Sequence, residues 1–415
     1  MNDSAPSPAA TPRRRLVCFV NGIFAEGIGG GDTYFAYMIQ AALGAGYPVH
    51  FFGGHALRRY LEKRGFPMNL TLTDTRPGRL GDVSSLAGQF RLLFDFARRL
   101  YGSLQRLDHV REDDIAYAMS DYWFDTIPLV RCAARTKILY LGMIAPTLTE
   151  VIFRRRADVT PSRLASLYYW MSQRYSLWRF RRCPGGQVTY SHPEMKDYLL
   201  GLGYVESALH YVPNGSDVEV ADRVPPQVRE FDVAWTGRVH PQKGIDDLLA
   251  LLDWLKERIP DYRAVIIGKS RDALEPLIRS RGLQDHVTFS GLVSEEEKYR
   301  LLKASRVFVM PSRYESWGIV VGEALVAGTP VVAYELSCYR PVFGDFVRYA
   351  PPFNRQAWFE AVEREVRAMR GGEVRAMRGG RNYLEQMPLP KLRQELSWQA
   401  GQGEFKLLIS EHTSN

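Results

Sequence analysis

S-R-Y-E-S-W-G-I-V-V-G-E-A-L-V-A-G-T-P-V-V-A, residues 312–333, decides how this 415-residue chain folds. The apolar run before it, Val307 to Met310, reads as a buried strand ended by Pro311. Beyond Gly318, the residues Ile319, Val320, Ala324, Leu325 and Ala327 recur at helical spacing, and Gly328 followed by Pro330 closes the helix. Val331 to Ala333 starts another strand. Strand, loop, helix and strand make the unit of an open parallel α/β sheet, whose ligands sit beyond the carboxyl ends of the strands. The pattern places Glu315 in that loop and Glu323 one to two turns into the helix.

Two carboxylates so placed suit hydroxyl recognition, because each can accept two hydrogen bonds from a vicinal diol such as a ribose or a hexose. The backbone N–H groups of Ser316, Trp317, Gly318 and Ile319, at a helix start, suit a phosphate. The layout resembles the E-x7-E signature of retaining glycosyltransferases of the GT-B fold, the family-four class (glycosyl transferases group 1). The match continues through Gly318, Ala324, Gly328, Pro330 and Val331. The resemblance implies two Rossmann-like α/β domains facing across a cleft. It also implies Glu323 on the ribose and Glu315 on the transferred sugar. The competing reading is two solvated surface glutamates around an ordinary βαβ helix.

A second motif, Gly237-Arg238-Val-His-Pro-Gln-Lys243-Gly244, follows the strand pattern Val233 to Trp235. Arg and Lys framed by glycines, with a helix at Ile245, suit a polyanion, although two surface cations in a turn would look alike. It resembles the family's G-R-x-x-x-x-K-G loop, whose Arg and Lys grip the donor's diphosphate. The resemblance makes Glu315, Arg238 and Lys243 the catalytic candidates. No Asp-x-Asp occurs in the sequence, so Arg238, Lys243 and the helix start near Ser316 are expected to stabilise the leaving diphosphate without a metal. The implied ligand is a UDP- or GDP-linked sugar, a substrate rather than a cofactor.

In the first half, Leu16 to Val20 reads as a strand, then come N-G-I-F-A-E-G-I-G-G-G-D (21–32), a helix from Tyr34 to Leu43 and a strand from Val49 to Phe52. A nicotinamide site fails here. Asp32 occupies the third glycine place of G-x-G-x-x-G, and His50 and Gly53-Gly54 stand where an acidic ribose ligand belongs. Gly30 and Gly31 instead look like the family's glycine-rich loop facing the donor across the cleft. Many relatives carry a His beside the donor sugar; the aligned position is Gly142, with His192, His50 and Asp121 as alternative stand-ins. Residues 55–110 are basic and loosely helical.

Residues 1–213 hold 26 Lys and Arg against 18 Asp and Glu, so the whole formal excess of +8 lies in this half. No nucleic-acid motif accompanies it, so an anionic lipid surface or an anionic acceptor is the expected partner, and nucleic acid is not. Arg154-Arg155-Arg156 and the aromatic–arginine stretch 160–182 fit either a membrane interface or a long helix packed on its own domain. No apolar run reaches about 18 residues, so no membrane-spanning helix is expected. The short run after Arg13-Arg14-Arg15 reads as a strand rather than a signal peptide.

The length calls for two domains. The expected division is a disordered tail at 1–13, an N-terminal acceptor domain at 14–213 joined by a last helix at 398–415, and a donor domain at 214–397. Four scattered cysteines point to a reducing cytosol. E-V-R-A-M-R-G-G at 365–372 is repeated at 373–380, and is expected to lengthen a surface helix or loop. The sequence therefore reads as a cytoplasmic, peripheral glycosyltransferase acting on a carbohydrate or lipid-linked acceptor. An epimerase or phosphorylase of the same fold and an inactive sugar-nucleotide-binding protein are the rivals.

Overall fold

The structure, a computed structural model, describes residues 14–22, 29–74, 86–153, 163–377 and 389–411, with backbone alone at 86, 372–377 and 389. The expected tail at 1–13 and Arg154-Arg155-Arg156 lie outside these residues.

Two parallel sheets account for the apolar runs. The first has β1 (Leu16–Phe19), β2 (Val49–Gly53), β3 (Leu70–Leu72), β4 (Ile115–Ala118), β5 (Thr136–Leu141), β6 (Gly186–Tyr190) and β7 (Leu209–Tyr211), in the order β3-β2-β1-β4-β5-β6-β7. The second has β8 (Phe231–Thr236), β9 (Ala264–Ile267), β10 (Val287–Gly291), β11 (Ser305–Met310), β12 (Val331–Tyr334) and β13 (Val347–Ala350), in the order β10-β9-β8-β11-β12-β13. Each sheet winds outward both ways from its first strand. The crossover switches at β1/β4 and β8/β11, where such sheets open a crevice at their carboxyl ends. Strands covered on both faces need apolar side chains throughout, and β1, β4, β5 and β12 are buried at every position.

Helices cover both faces of the first sheet. Gly30–Gly44, His55–Arg64 and the returning helix Trp398–Glu411 pack on one side, with Tyr34, Ile39, Leu57 and Phe405 in one apolar cluster. Trp123–Arg131 and Arg163–Phe180 cover the other through Leu129, Leu177 and Phe180, with Leu86–Leu104 beside them. The chain passes between domains at two adjacent points: Ser216 N–H donates to the Leu396 carbonyl at 2.7 Å, and Trp398 stacks on Tyr37 with ring centroids 4.3 Å apart.

The repeat at 365–380 corrects one expectation. The helix Arg355–Met377 runs through its first copy, where Val366 and Met369 are core rather than surface. They continue the helical spacing of Trp358 and Val362, and Arg370 after them pairs with buried Asp232 at 2.7 Å.

Candidate active site

The turn after β8 is shaped by glycine. A Cβ on Gly237 would come within 2.9 Å of the Trp235 ring. Gly244 sits at φ +64° with the Pro311 carbonyl oxygen 2.0 Å from where a Cβ would be, so only glycine lets this turn lie against the end of β11. Between them Pro241–Lys243 makes one tight turn, capped by His240, whose Nδ1 accepts from the Gln242 N–H at 3.2 Å. The neighbouring loop is stitched to it: Arg313 N–H donates to the Gln242 carbonyl at 2.8 Å, and Gln242 Nε2 donates to the Tyr314 carbonyl at 2.9 Å. That stitching brings Lys243 Nζ and Glu315 Oε1 to 2.5 Å, with both side chains largely buried. Each is the other's counter-charge. Arg238 stays exposed in the same turn.

The helix Ile319–Val326 starts from Gly318 at φ +89°, where a Cβ would lie 2.8 Å from the Tyr339 ring. N–H groups of its first turn have no acceptor within the helix, and the positive end of its dipole faces the same loop. Ser316 and Glu315 line a cavity between the domains with Tyr314, His192, Glu194 and Cys338. Trp317 keeps the role its place at the helix start implies, through its backbone: its side chain is buried and packs edge-on against Phe343, ring centroids 5.1 Å apart. Only its backbone is on offer.

Glu323 is 8% exposed. Its Oε1 accepts from Lys298 Nζ at 2.7 Å, while Oε2 is buried without a hydrogen-bond partner. Burial pushes its carboxyl above the usual range, Lys298 opposes that, and Glu295 and Asp217 add to it. Burial would lower the Lys298 ammonium, but Glu323 and Glu295 outweigh it and hold it above its usual value. An unpaired oxygen on a buried carboxylate costs about 1–3 kcal/mol, and a hydroxyl donor from a ligand relieves it.

The facing domain approaches closely. A Cβ on Gly30 would stand 3.3 Å from Ile319 Cδ1, whereas a Cβ on Gly31 would meet nothing within 4 Å. Asp32 Oδ2 accepts from the Gly29 N–H at 3.0 Å. Burial raises its carboxyl, against the Gly29 N–H, Arg64 and, across the cleft, Arg238. Tyr37 donates to Asp217 Oδ2 at 2.9 Å, also across the cleft.

The stand-ins for a histidine sort themselves by position. Gly142 has no room for a side chain, since a Cβ would meet the Tyr140 ring at 2.9 Å. His50 bonds Thr71 at 2.8 Å and feels Arg15, His109 and Asp114, which precede their strands; it lies at the far, amino end of the sheet. Asp121 is buried beyond β4 on Gln173, and burial pushes it up to about 6. His192 alone of these lines the cavity with Glu315. Its Nδ1 accepts from the Glu194 N–H at 3.2 Å, so Nε2 carries the proton and donates to the Cys338 carbonyl of the other domain at 2.9 Å. Burial lowers its pKa, against that carbonyl and Glu194, and favours the neutral ring.

Sequence reasoning missed Lys298, Asp217 and Tyr37. Lys298 follows three glutamates behind the capping Ser294 and looks like an ordinary charged helix start.

Two parallel-sheet domains joined in this way define the GT-B fold. Residues 221–368 match the family model described as Glycosyl transferases group 1, and that segment belongs to this family. The chain is 28% identical over 283 residues to mannosylfructose-phosphate synthase of Agrobacterium fabrum, covering 60% of this chain and 61% of that protein. It is 36% identical over 142 residues to phosphatidyl-myo-inositol mannosyltransferase of Mycolicibacterium smegmatis, covering 32% of this chain and 36% of that one. It thus spans less than two thirds of either relative. Among solved structures, Anabaena HepE in complex with UDP and glucose superposes with TM-score 0.65 at 15% identity, covering 97% of this chain and 100% of that one.

Proposed function

We propose that this protein is a retaining, metal-independent glycosyltransferase that moves a sugar from a UDP- or GDP-sugar to a hydroxyl acceptor in bacterial cell-surface polysaccharide or glycolipid synthesis. Residues 214–397 form the donor domain; residues 14–213 with 398–415 form the acceptor domain. Glu323 carries the reading. Its buried, half-satisfied carboxylate at the carboxyl end of a parallel sheet is what a ribose diol would complete.

Lys243, Arg238 and the start of the helix at Ile319 supply positive potential to the diphosphate. That charge grows as the bond from the sugar's anomeric carbon to the β-phosphate oxygen lengthens. The acceptor oxygen bonds that carbon from the leaving-group side, and its proton passes to the departing phosphate oxygen. Glu315, held by Lys243, meets the sugar hydroxyls. A lipid-linked acceptor at the cytoplasmic face of the membrane is in keeping with the relative named for phosphatidyl-myo-inositol.

The test incubates the full chain with UDP- and GDP-sugars, hydroxyl acceptors and excess EDTA, and reads the product by NMR. Nucleoside diphosphate release with retained anomeric configuration is expected. Dependence on Mg²⁺ or Mn²⁺, an inverted product, an isomerised donor, or binding without any turnover would overturn it.

A further inference from the structure

Two neighbouring helices of the acceptor domain turn their apolar sides outward. Arg163–Phe180 buries Ser166, Ser172, Gln173 and Ser176 beside Leu177 and Phe180. Its inward polar groups do structural work: Gln173 Oε1 accepts from the Ala145 N–H at 2.8 Å and Ser172 Oγ from the Trp123 N–H at 3.2 Å. Its large apolar residues Leu164 (61% exposed), Met171 (56%) and Trp178 (50%) face solvent. Leu86–Leu104 does the same with Phe90 (71%), Phe94 (68%) and Tyr101 (62%), spaced four and seven residues apart on one face. Both helices flank the short helix Trp123–Arg131: the Phe96 and Phe124 rings stack at 4.0 Å, and Trp123 Nε1 donates to the Tyr168 hydroxyl at 2.6 Å. The two apolar stripes therefore belong to one helical layer of one domain. Single exposed apolar residues are ordinary, but apolar rows on the outer faces of two helices that flank a common third one mark an interaction surface.

Charge selects the occupant. Residues 163–182 contain five arginines, at 163, 174, 179, 181 and 182, and no acidic residue. Arg182 lies over the Trp178 ring, 4.5 Å from its centre. A second copy seated on this face in a symmetric dimer would set those arginines against the same arginines. An anionic bilayer offers the opposite sign over a wide area, and its interface accepts tryptophan and phenylalanine beside arginine. We infer that the outward faces of Leu86–Leu104 and Arg163–Phe180 are a docking surface for anionic lipid membrane, holding the acceptor domain at the bilayer. The inference extends the proposed reading of a lipid-linked acceptor, but the contact itself does not require turnover.

Vesicle co-sedimentation of the full chain tests it, with nucleoside diphosphate affinity measured on the same samples. Wild type should sediment with phosphatidylglycerol-containing vesicles and not with pure phosphatidylcholine. Arg174→Glu/Arg181→Glu/Arg182→Glu should reduce that partitioning about tenfold or more at low salt. Phe90→Ser/Phe94→Ser should remove the part that survives high salt. All these residues are exposed and outside the proposed donor site, so nucleotide affinity should stay unchanged. No sedimentation with anionic vesicles at low salt, charge-reversed protein that binds as well as wild type, or a dimer in solution that the Phe90/Phe94 variant dissolves would each overturn the membrane surface. Loss of nucleotide binding in wild type would overturn the catalytic reading instead, whatever the vesicles show.

Discussion

At the carboxyl ends of β8 and β11, Arg238, Lys243 and Glu315 stand on turns shaped by glycine and Glu323 on the helix that Gly318 starts, whereas described residues at the ends of β1 to β4 form polar groups that satisfy one another. There Thr73 donates to Asn21 Oδ1 at 2.9 Å and Arg99 to the Asn21 carbonyl at 2.9 Å, while Arg99 pairs with Asp74 at 3.2 Å. Asp125 accepts from the Asn21 N–H at 2.7 Å and from Ser120 at 2.6 Å. Among the described residues of the first edge, these groups satisfy one another without a ligand. The second leaves one oxygen of a buried glutamate unpaired and an arginine exposed. Two sheets wound alike thus differ at their carboxyl edges: described polar groups of one pair among themselves, and the other keeps a buried carboxylate oxygen open to a donor.

The largest effect should come from the cationic turn. Arg238→Ala or Lys243→Ala should lower kcat/KM by about 2–4 kcal/mol equivalent, as removal of a transition-state charge contact does. Lys243→Ala should cost more than Arg238→Ala, because it also strips Glu315 of its partner. Near-normal turnover in both variants would erase the contrast between the two edges.

A smaller effect is expected at Lys298. Lys298→Met leaves the Glu323 carboxyl among burial, Glu295 and Asp217, all of which favour its neutral form. Its pKa, already above the usual range, should rise further. Nucleoside diphosphate affinity should then begin to fall, as pH is lowered, at a higher pH than in wild type. Calorimetry across pH 5–9 reads this; parallel pH profiles would leave Lys298 a structural contact only.

The smallest effect should lie on the settled edge and touch stability alone. Burial pushes the Asp125 carboxyl up to about 7, against Ser120, Asn21 and Arg99. A carboxyl raised on folding favours the native state below its unfolded pKa, and that contribution is lost as pH rises toward 7. Asp125→Asn should therefore gain in relative Tm between pH 5 and 8, by roughly 1 kcal/mol equivalent or more, with kcat/KM little changed. A Tm difference flat with pH would show that Asp125 stays ionised throughout.

The second domain was legible because its loops must meet steric limits that sequence displays. Gly237, Gly244 and Gly318 are fixed by close approaches, so the positions of Arg238, Lys243, Glu315 and Glu323 follow from spacing. For Trp317, spacing gives a backbone position and says nothing of where the side chain turns, which is into the core against Phe343. The Lys243–Glu315 pair was invisible because it joins two loops 72 residues apart. Leu86–Leu104 hid for another reason. Its apolar stripe faces outward, with Arg99 buried on the opposite side, so a reading that assigns apolar residues to the core points the helix the wrong way.

Calorimetric titration of UDP and GDP into Glu323→Ala and Glu315→Ala, in excess EDTA, tests the assignment of the two carboxylates most directly. One of the two nucleotides should bind wild type, lose about 1–3 kcal/mol of affinity in Glu323→Ala, and bind Glu315→Ala almost as in wild type. The reverse pattern, or unchanged affinity in both variants, would contradict a nucleotide held at the carboxyl edge of the second sheet by Glu323.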